Sequence, residues 1–149
     1  MLVISEYTAK KLPQKIEAIR EAGEVTRCLC VSLARTPLQN AYKTLLVKHM
    51  AGLATRKNTT LFQCPSGDLY LFDPAITQRA IEAMLSEGPF EKARNGLMQC
   101  MQIYECPYDL TPLEERVSKT LQGEAEEKKR AESIETQKRL AEIEAILNS

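Results

Sequence analysis

The chain has no net charge, because 20 lysines and arginines are matched by 20 aspartates and glutamates. No overall field therefore draws it to nucleic acid or to an anionic membrane. Long apolar runs are also missing: Met1-Leu2-Val3-Ile4 is followed at once by Ser5-Glu6, and nothing later approaches a signal-peptide core or a membrane span. A soluble, cytoplasmic protein is expected. Histidine is reduced to His49 alone, with no cysteine or serine pointed out as its partner, so a nucleophile–base pair has no support. A disulfide framework is absent too. The five cysteines, Cys28, Cys30, Cys64, Cys100 and Cys106, are odd in number and sit in apolar, strand-like settings, which suits reduced thiols. Cys28 and Cys30 share one face of a strand, and Cys64 or Cys100 could approach them. A lone C-x-C pair is nevertheless not a zinc pattern, and buried cysteine behaves as a small hydrophobe. No cofactor and no metal are expected.

What is present is a run of well-punctuated elements. Length allows one domain plus an appendage. Pro13 to Ala22 reads as a short helix stopped by Gly23, with a single turn before it from Ser5 to Lys11, so residues 1–24 form an N-terminal helical segment. Val25 to Ala34, nearly continuous in apolar character, reads as a central strand. Thr36-Pro37-Leu38-Gln39 has the composition of a helix start. Leu38, Ala41, Tyr42, Leu45, Leu46, His49, Met50 and Leu53 then recur at helical spacing. Thr59–Gln63 and Leu69–Phe72 are β-rich runs joined by Cys64-Pro65-Ser66-Gly67-Asp68, a hairpin. Asp73-Pro74 opens a helix with Ile76, Ala80, Ala83 and Met84 on one face, and Gly88-Pro89 stops it. After a short turn from Phe90 to Arg94, Leu97 to Cys106 reads as a fourth strand. The order is β-α-β-β-α-β, so the expectation for residues 25–108 is a ferredoxin-like α+β domain with an antiparallel sheet. Thr111-Pro112 then opens a long charged helix over 111–149, roughly 55 to 60 Å long at about 1.5 Å per residue.

The hairpin resembles the signature of GGDEF domains, the diguanylate cyclases. Ser66, Gly67, Asp68, Leu69 and Tyr70 stand where that family has G-G-D-E-F. The resemblance implies a nucleotidyl-cyclase-like fold, a nucleotide-binding hairpin at Ser66, Gly67 and Asp68, and a place in bacterial signalling. Phosphoryl transfer of that kind needs carboxylates to hold Mg²⁺. Leu69 cannot do so, and the first-strand stretch Cys30 to Ala34 contains no acid. The implied member is degenerate and catalytically silent. An ordinary hairpin with Gly and Asp in its turn accounts for the same residues.

Surfaces supply the remaining readings. Two helices of a ferredoxin-like domain cover one sheet face, leaving the face of Cys28, Cys30, Tyr70 and Phe72 to the N-terminal helix, the C-terminal helix or a partner. The long helix is apolar at both ends. Leu113, Val117 and Leu121 suit docking on the domain, whereas Leu140, Ile143, Ile146 and Leu147 suit pairing. Its charged middle offers Glu124–Lys128, Glu126–Arg130 and Glu135–Arg139 at the supportive spacing. The expected function is a non-catalytic regulatory or scaffolding module. It would self-associate, as a homodimer through the C-terminal helix, or dock a protein partner, using Tyr70, Phe72, Leu140, Ile143, Ile146 and Leu147, with no nucleic acid and no membrane involved. A guanine-nucleotide-binding or cyclase-related enzyme drawing its acids from Asp68 and Asp73 is the first alternative. An RNA-binding sheet stacking bases on Tyr70 and Phe72 is the second, although Arg27 is the sole cation of the first strand.

Overall fold

The computed structural model describes residues 1–33, 39–53 and 59–148. Five strands form one mixed sheet in the order β1-β3-β4-β2-β5: β1 (Leu2–Ile4), β2 (Thr26–Ser32), β3 (Thr60–Gln63), β4 (Asp68–Phe72) and β5 (Met101–Cys106). All neighbours are antiparallel except β1, which runs parallel to β3 with Leu2 opposite Thr60. The protein is therefore α+β. The N-terminal residues, read as helical only, contribute an edge strand that the sequence does not announce, since three residues are too few to show a period.

Among the described residues five α-helices accompany the sheet: α1 (Thr8–Ala22), α2 (Gln39–Leu53), α3 (Gln78–Leu85), α4 (Arg94–Gln99) and α5 (Leu110–Leu147). Several starts differ from expectation. α1 begins five residues before Pro13, because Thr8 and Leu12 are buried with Ile16 and Ile19 and packing outweighs the proline. Its end matches, with Gly23 in the left-handed region at φ 61°. α3 is capped by Thr77, whose hydroxyl accepts from the Ala80 N–H at 3.1 Å, not by Asp73. Asp73 is buried and accepts from the Thr59 hydroxyl and, at 2.7 Å, from the Ala75 N–H, which ties the start of β3 to the approach to α3. α3 buries Ile81 and Leu85; of the expected Ile76, Ala80, Ala83 and Met84 face, Ile76 is buried and Met84 packs against the same core, whereas Ala83 is exposed. The run Leu97 to Cys106 splits, its first three residues finishing α4 so that Leu97 reaches the core. α5 starts at Leu110 rather than at a Thr111 cap. The start expected at Thr36 lies outside the described residues, while Leu46 and Met50 of its stripe are buried.

Strand alternation sends side chains to two separate cores. One gathers Leu29, Val31, Leu61, Leu69 and Leu71 beneath α2, α3 and α4. The other gathers Cys28, Cys30, Phe62, Tyr70, Phe72, Tyr104 and Cys106 beneath Leu12, Ile16 and Ile19 of α1 and Leu110, Leu113 and Val117 of α5. The second sheet face is thus covered from within the chain, by both terminal helices. On α5 the buried residues are spaced three, four and three apart, through Leu110, Leu113, Val117 and Thr120, and form one stripe. Side chains such as Leu113 and Val117 contribute about 1.5–3 kcal/mol each on full burial. Beyond Glu124 every residue of α5 is exposed. This exposed stretch is about 35 Å long at 1.5 Å per residue.

Candidate functional site

At one end of the covered sheet face the alternation that supplies cysteines and aromatics ends in polar residues. Ser32 of β2 lies opposite Asp68 of β4, and Gln102 of β5 is two residues inward on the same face, opposite Cys30. The turn before Asp68 is closed by the Gly67 N–H donating to the Cys64 carbonyl at 2.9 Å, and Gly67 sits at φ 98°, a conformation that favours glycine. α5 crosses this end with Arg116, Lys119, Thr120 and Gly123. Between helix and sheet lies a cleft of about 570 Å³, lined among others by Ser32, Ser66, Asp68, Tyr104, Arg116 and Lys119.

Two sets of hydrogen bonds tie the helix down. Thr120 Oγ1 donates to Asp68 Oδ2 at 2.7 Å and lies 2.6 Å from the Tyr70 hydroxyl. A threonine has one hydroxyl proton, and Thr120 gives it to Asp68, so Tyr70 donates to Thr120. The chain Tyr70–Thr120–Asp68 runs from the apolar core to the cleft. Burial lifts the Tyr70 phenol well above its ordinary range, and the bond to Thr120 opposes that lift. The second set belongs to Arg116, whose Nη2 donates to Ser32 Oγ at 2.7 Å and whose Nη1 approaches Gln102 Oε1 at 3.5 Å. One turn beyond Thr120, Glu124 Oε1 accepts from the Ser66 N–H at 3.3 Å. Burial raises the Glu124 carboxyl above the usual carboxylate range, opposed by the Ser66 donors and reinforced by the charges of Asp68 and Glu127. Alongside α1, Arg20 pairs with Glu114.

The residues singled out in the sequence fall into three places. Ser66 and Asp68 line the cleft, with Gly67 forming the turn between them. Tyr70 and Phe72 are not on a surface: they are 0 % and 2 % exposed, and Phe72 meets Phe62 edge-on with ring centroids 5.8 Å apart. Neither ring can stack a base. Leu140, Ile143, Ile146 and Leu147 are exposed on the far part of α5. Asp68 and Asp73 do not converge. They stand at opposite ends of β4, about 16 Å apart at 3.3 Å per residue, and five positions apart places them on opposite faces. Arg27 is committed elsewhere, donating to the Ile76 carbonyl at 2.8 Å and pairing with Glu105 at 3.4 Å. His49 is satisfied locally, its Nδ1 donating to the Leu45 carbonyl at 2.8 Å and its ring edge-on to Phe90.

All five cysteines are free thiols. Cys28 and Cys30 point their sulfurs at each other at 3.9 Å, whereas Cys100 packs against the opposite core. Burial pushes the Cys28 thiol up, Cys64 up to about 12 and Cys106 up to about 11, so these sulfurs stay protonated and weakly nucleophilic. Among the described residues no three His, Cys, Asp or Glu side chains gather as a metal-binding group. Among the same residues no helix is long and apolar enough to cross a membrane.

Sequence reasoning missed Arg116 and Thr120. Thr120 does carry a signal, since it continues the Leu113–Val117 spacing as a polar residue on a buried stripe, where a hydroxyl implies a buried partner. Arg116 carries none, because its position over Ser32 depends on how α5 crosses the sheet. No protein-family model, no curated protein and no solved structure matches the chain.

Proposed function

We propose that this protein is a non-catalytic scaffolding or regulatory module: an α+β head that presents a long helix through which two copies associate. The observation that carries the reading is the exposure of Leu140, Ile143, Ile146 and Leu147, at 56 %, 52 %, 73 % and 77 %, on a segment of α5 beyond the stripe that docks on the head. Leu140, Ile143 and Leu147 are spaced three and four apart and prolong the same spacing through Ser133 and Thr136. Arg139 and Glu144 flank that seam. In a parallel pair Arg139 of one copy lies beside Glu144 of the other, the arrangement of charges that favours such pairing. Isolated helix stands poorly in water, and pairing buries the apolar seam.

The head fits a ferredoxin-like core with β1 added at its edge. What supports this is the order β3-β4-β2-β5 with antiparallel neighbours, and α2 and α3 together on one face. A degenerate GGDEF-like origin accords with that core and with the lack of a second acid near Asp68 on β2. Five unpaired thiols, four of them buried, favour a reducing compartment such as the cytoplasm.

Light scattering on the full chain and on a chain ending at Glu127 tests the reading. The full chain is expected to be dimeric, and the shortened chain, which keeps Leu113, Val117 and Thr120 in place, monomeric. Leu140→Glu with Ile143→Glu should also give a monomer. A full chain that is monomeric, or a shortened chain that stays dimeric, overturns self-association through the helix.

A further inference from the structure

We propose that the cleft between α5 and the Ser32–Asp68 end of the sheet binds a small molecule of low charge through an oxyanion, a carboxylate or a phosphate, with Arg116 as its anchor. The reason lies in how Arg116 is held. Its guanidinium is half-buried and held by neutral groups only, Ser32 Oγ at 2.7 Å and Gln102 Oε1 at 3.5 Å, the latter also accepting from the Tyr104 hydroxyl at 3.1 Å. Among the described residues it forms no ion pair with a carboxylate. Neutral acceptors fix the plane of a guanidinium without cancelling its charge, and a partly desolvated charge gains most from a counter-ion. A guanidinium has five N–H donors in a planar fork, and the two side-chain bonds leave donors free to meet an oxyanion.

The surroundings suit such a ligand. Lys119 lines the same cleft and supplies a second cation, while Ser32 adds a hydroxyl. A volume of about 570 Å³ lies within the usual range for small-molecule sites. Gly123, inside α5, also borders the cleft, and a Cβ built there would meet nothing within 4 Å. Glycine in a helix interior costs about 1 kcal/mol against alanine, and no packing requires it here. Its effect is to keep one wall of the cleft low. Asp68, Glu115 and Glu127 line the same space. Their charges disfavour a polyanion such as a triphosphate and limit the ligand to one or two negative charges. An oxyanion between Arg116 of α5 and the hydroxyl of Ser32 would bridge helix and sheet, so that occupancy strengthens the junction from which the helix departs.

The test is thermal unfolding and amide chemical-shift titration of the full chain with inorganic phosphate and, separately, with malonate. Each is compared with sodium chloride at matched ionic strength. A saturable rise in Tm with shifts at Ser32, Ser66 and Lys119 is expected. A response to phosphate alone assigns a phosphate group, and one to malonate alone a carboxylate. Arg116→Gln should weaken binding roughly tenfold or more, as loss of a charged donor does. Should that variant fold poorly, Lys119→Gln and Gly123→Leu serve instead. Both substitutions are on the exposed side of α5, the first weakening binding and the second blocking the cleft. No saturable response to either anion beyond chloride overturns the site, as do unchanged affinities in Lys119→Gln and Gly123→Leu. Tripolyphosphate binding more tightly than phosphate overturns the low-charge assignment.

Discussion

The Tyr70–Thr120–Asp68 chain offers a sharp test of how α5 is held, through Thr120→Val, Tyr70→Phe and the pair together. Valine keeps the shape and β-branching of threonine but loses the hydroxyl. Tyr70 is fully buried, and among the described residues its only other acceptor is the Arg116 carbonyl at 3.5 Å, too long to replace a bond of 2.6 Å. An orphaned buried hydroxyl costs about 1–3 kcal/mol. The lost bond to Asp68 adds about 0.5–1.5 kcal/mol, at the lower end because water in the cleft replaces the donor. Thr120→Val should therefore cost about 2–4 kcal/mol. Tyr70→Phe removes the donor and leaves Thr120 bonded to Asp68, a loss of about 1 kcal/mol. The double variant has no orphan, so it should cost no more than Thr120→Val alone, a coupling of about 1–2 kcal/mol. Urea unfolding, with midpoint and m-value compared across the four proteins, measures it. Costs that add to within about 0.5 kcal/mol would refute the proton arrangement from Tyr70 through Thr120 to Asp68.

Two further outcomes follow from groups near the same helix. Glu124 is raised in the folded protein, so the folded state binds its proton more tightly than the unfolded chain does. Its contribution is most favourable at low pH and is lost as pH rises from the ordinary glutamate value through the raised one. Glu124→Gln, whose amide oxygen can still accept from Ser66, should raise Tm at pH 7 relative to the native chain, with the gap narrowing toward pH 4; a constant gap across that window would contradict the assignment. For the thiols, iodoacetamide labelling of the native protein followed by mass spectrometry should find Cys28, Cys30, Cys64 and Cys106 protected and modification beginning at the half-buried Cys100. Rapid alkylation of Cys28 or Cys30 would show that α1 and α5 do not cover that face.

The sequence by itself determined whatever rests on short-range chemistry. The Cys64–Asp68 turn follows from Pro, Ser, Gly and Asp between two β-rich runs, and the helix stop at Gly23 from a residue that accepts positive φ. The docked and exposed ends of α5 follow from where its apolar residues lie. The Glu135–Arg139 pair, 2.9 Å apart, follows from helical spacing. Where local signals compete, tertiary packing decided. Thr77 displaced Asp73 as a cap because Asp73 is drawn to Thr59, fourteen residues away. Leu97 joined a helix because the core beneath α4 takes its side chain, and Leu2–Ile4 became a strand because β3 offered an unpaired edge. The fate of Tyr70 and Phe72 was undecidable locally, since a sheet aromatic reads the same whether a helix or a ligand covers it. α1 and α5, from opposite ends of the chain, cover both rings. The cleft is likewise a product of chain crossing: Ser32, Asp68 and Arg116 are remote in sequence, and no local pattern records that α5 lays its guanidinium over the end of the sheet.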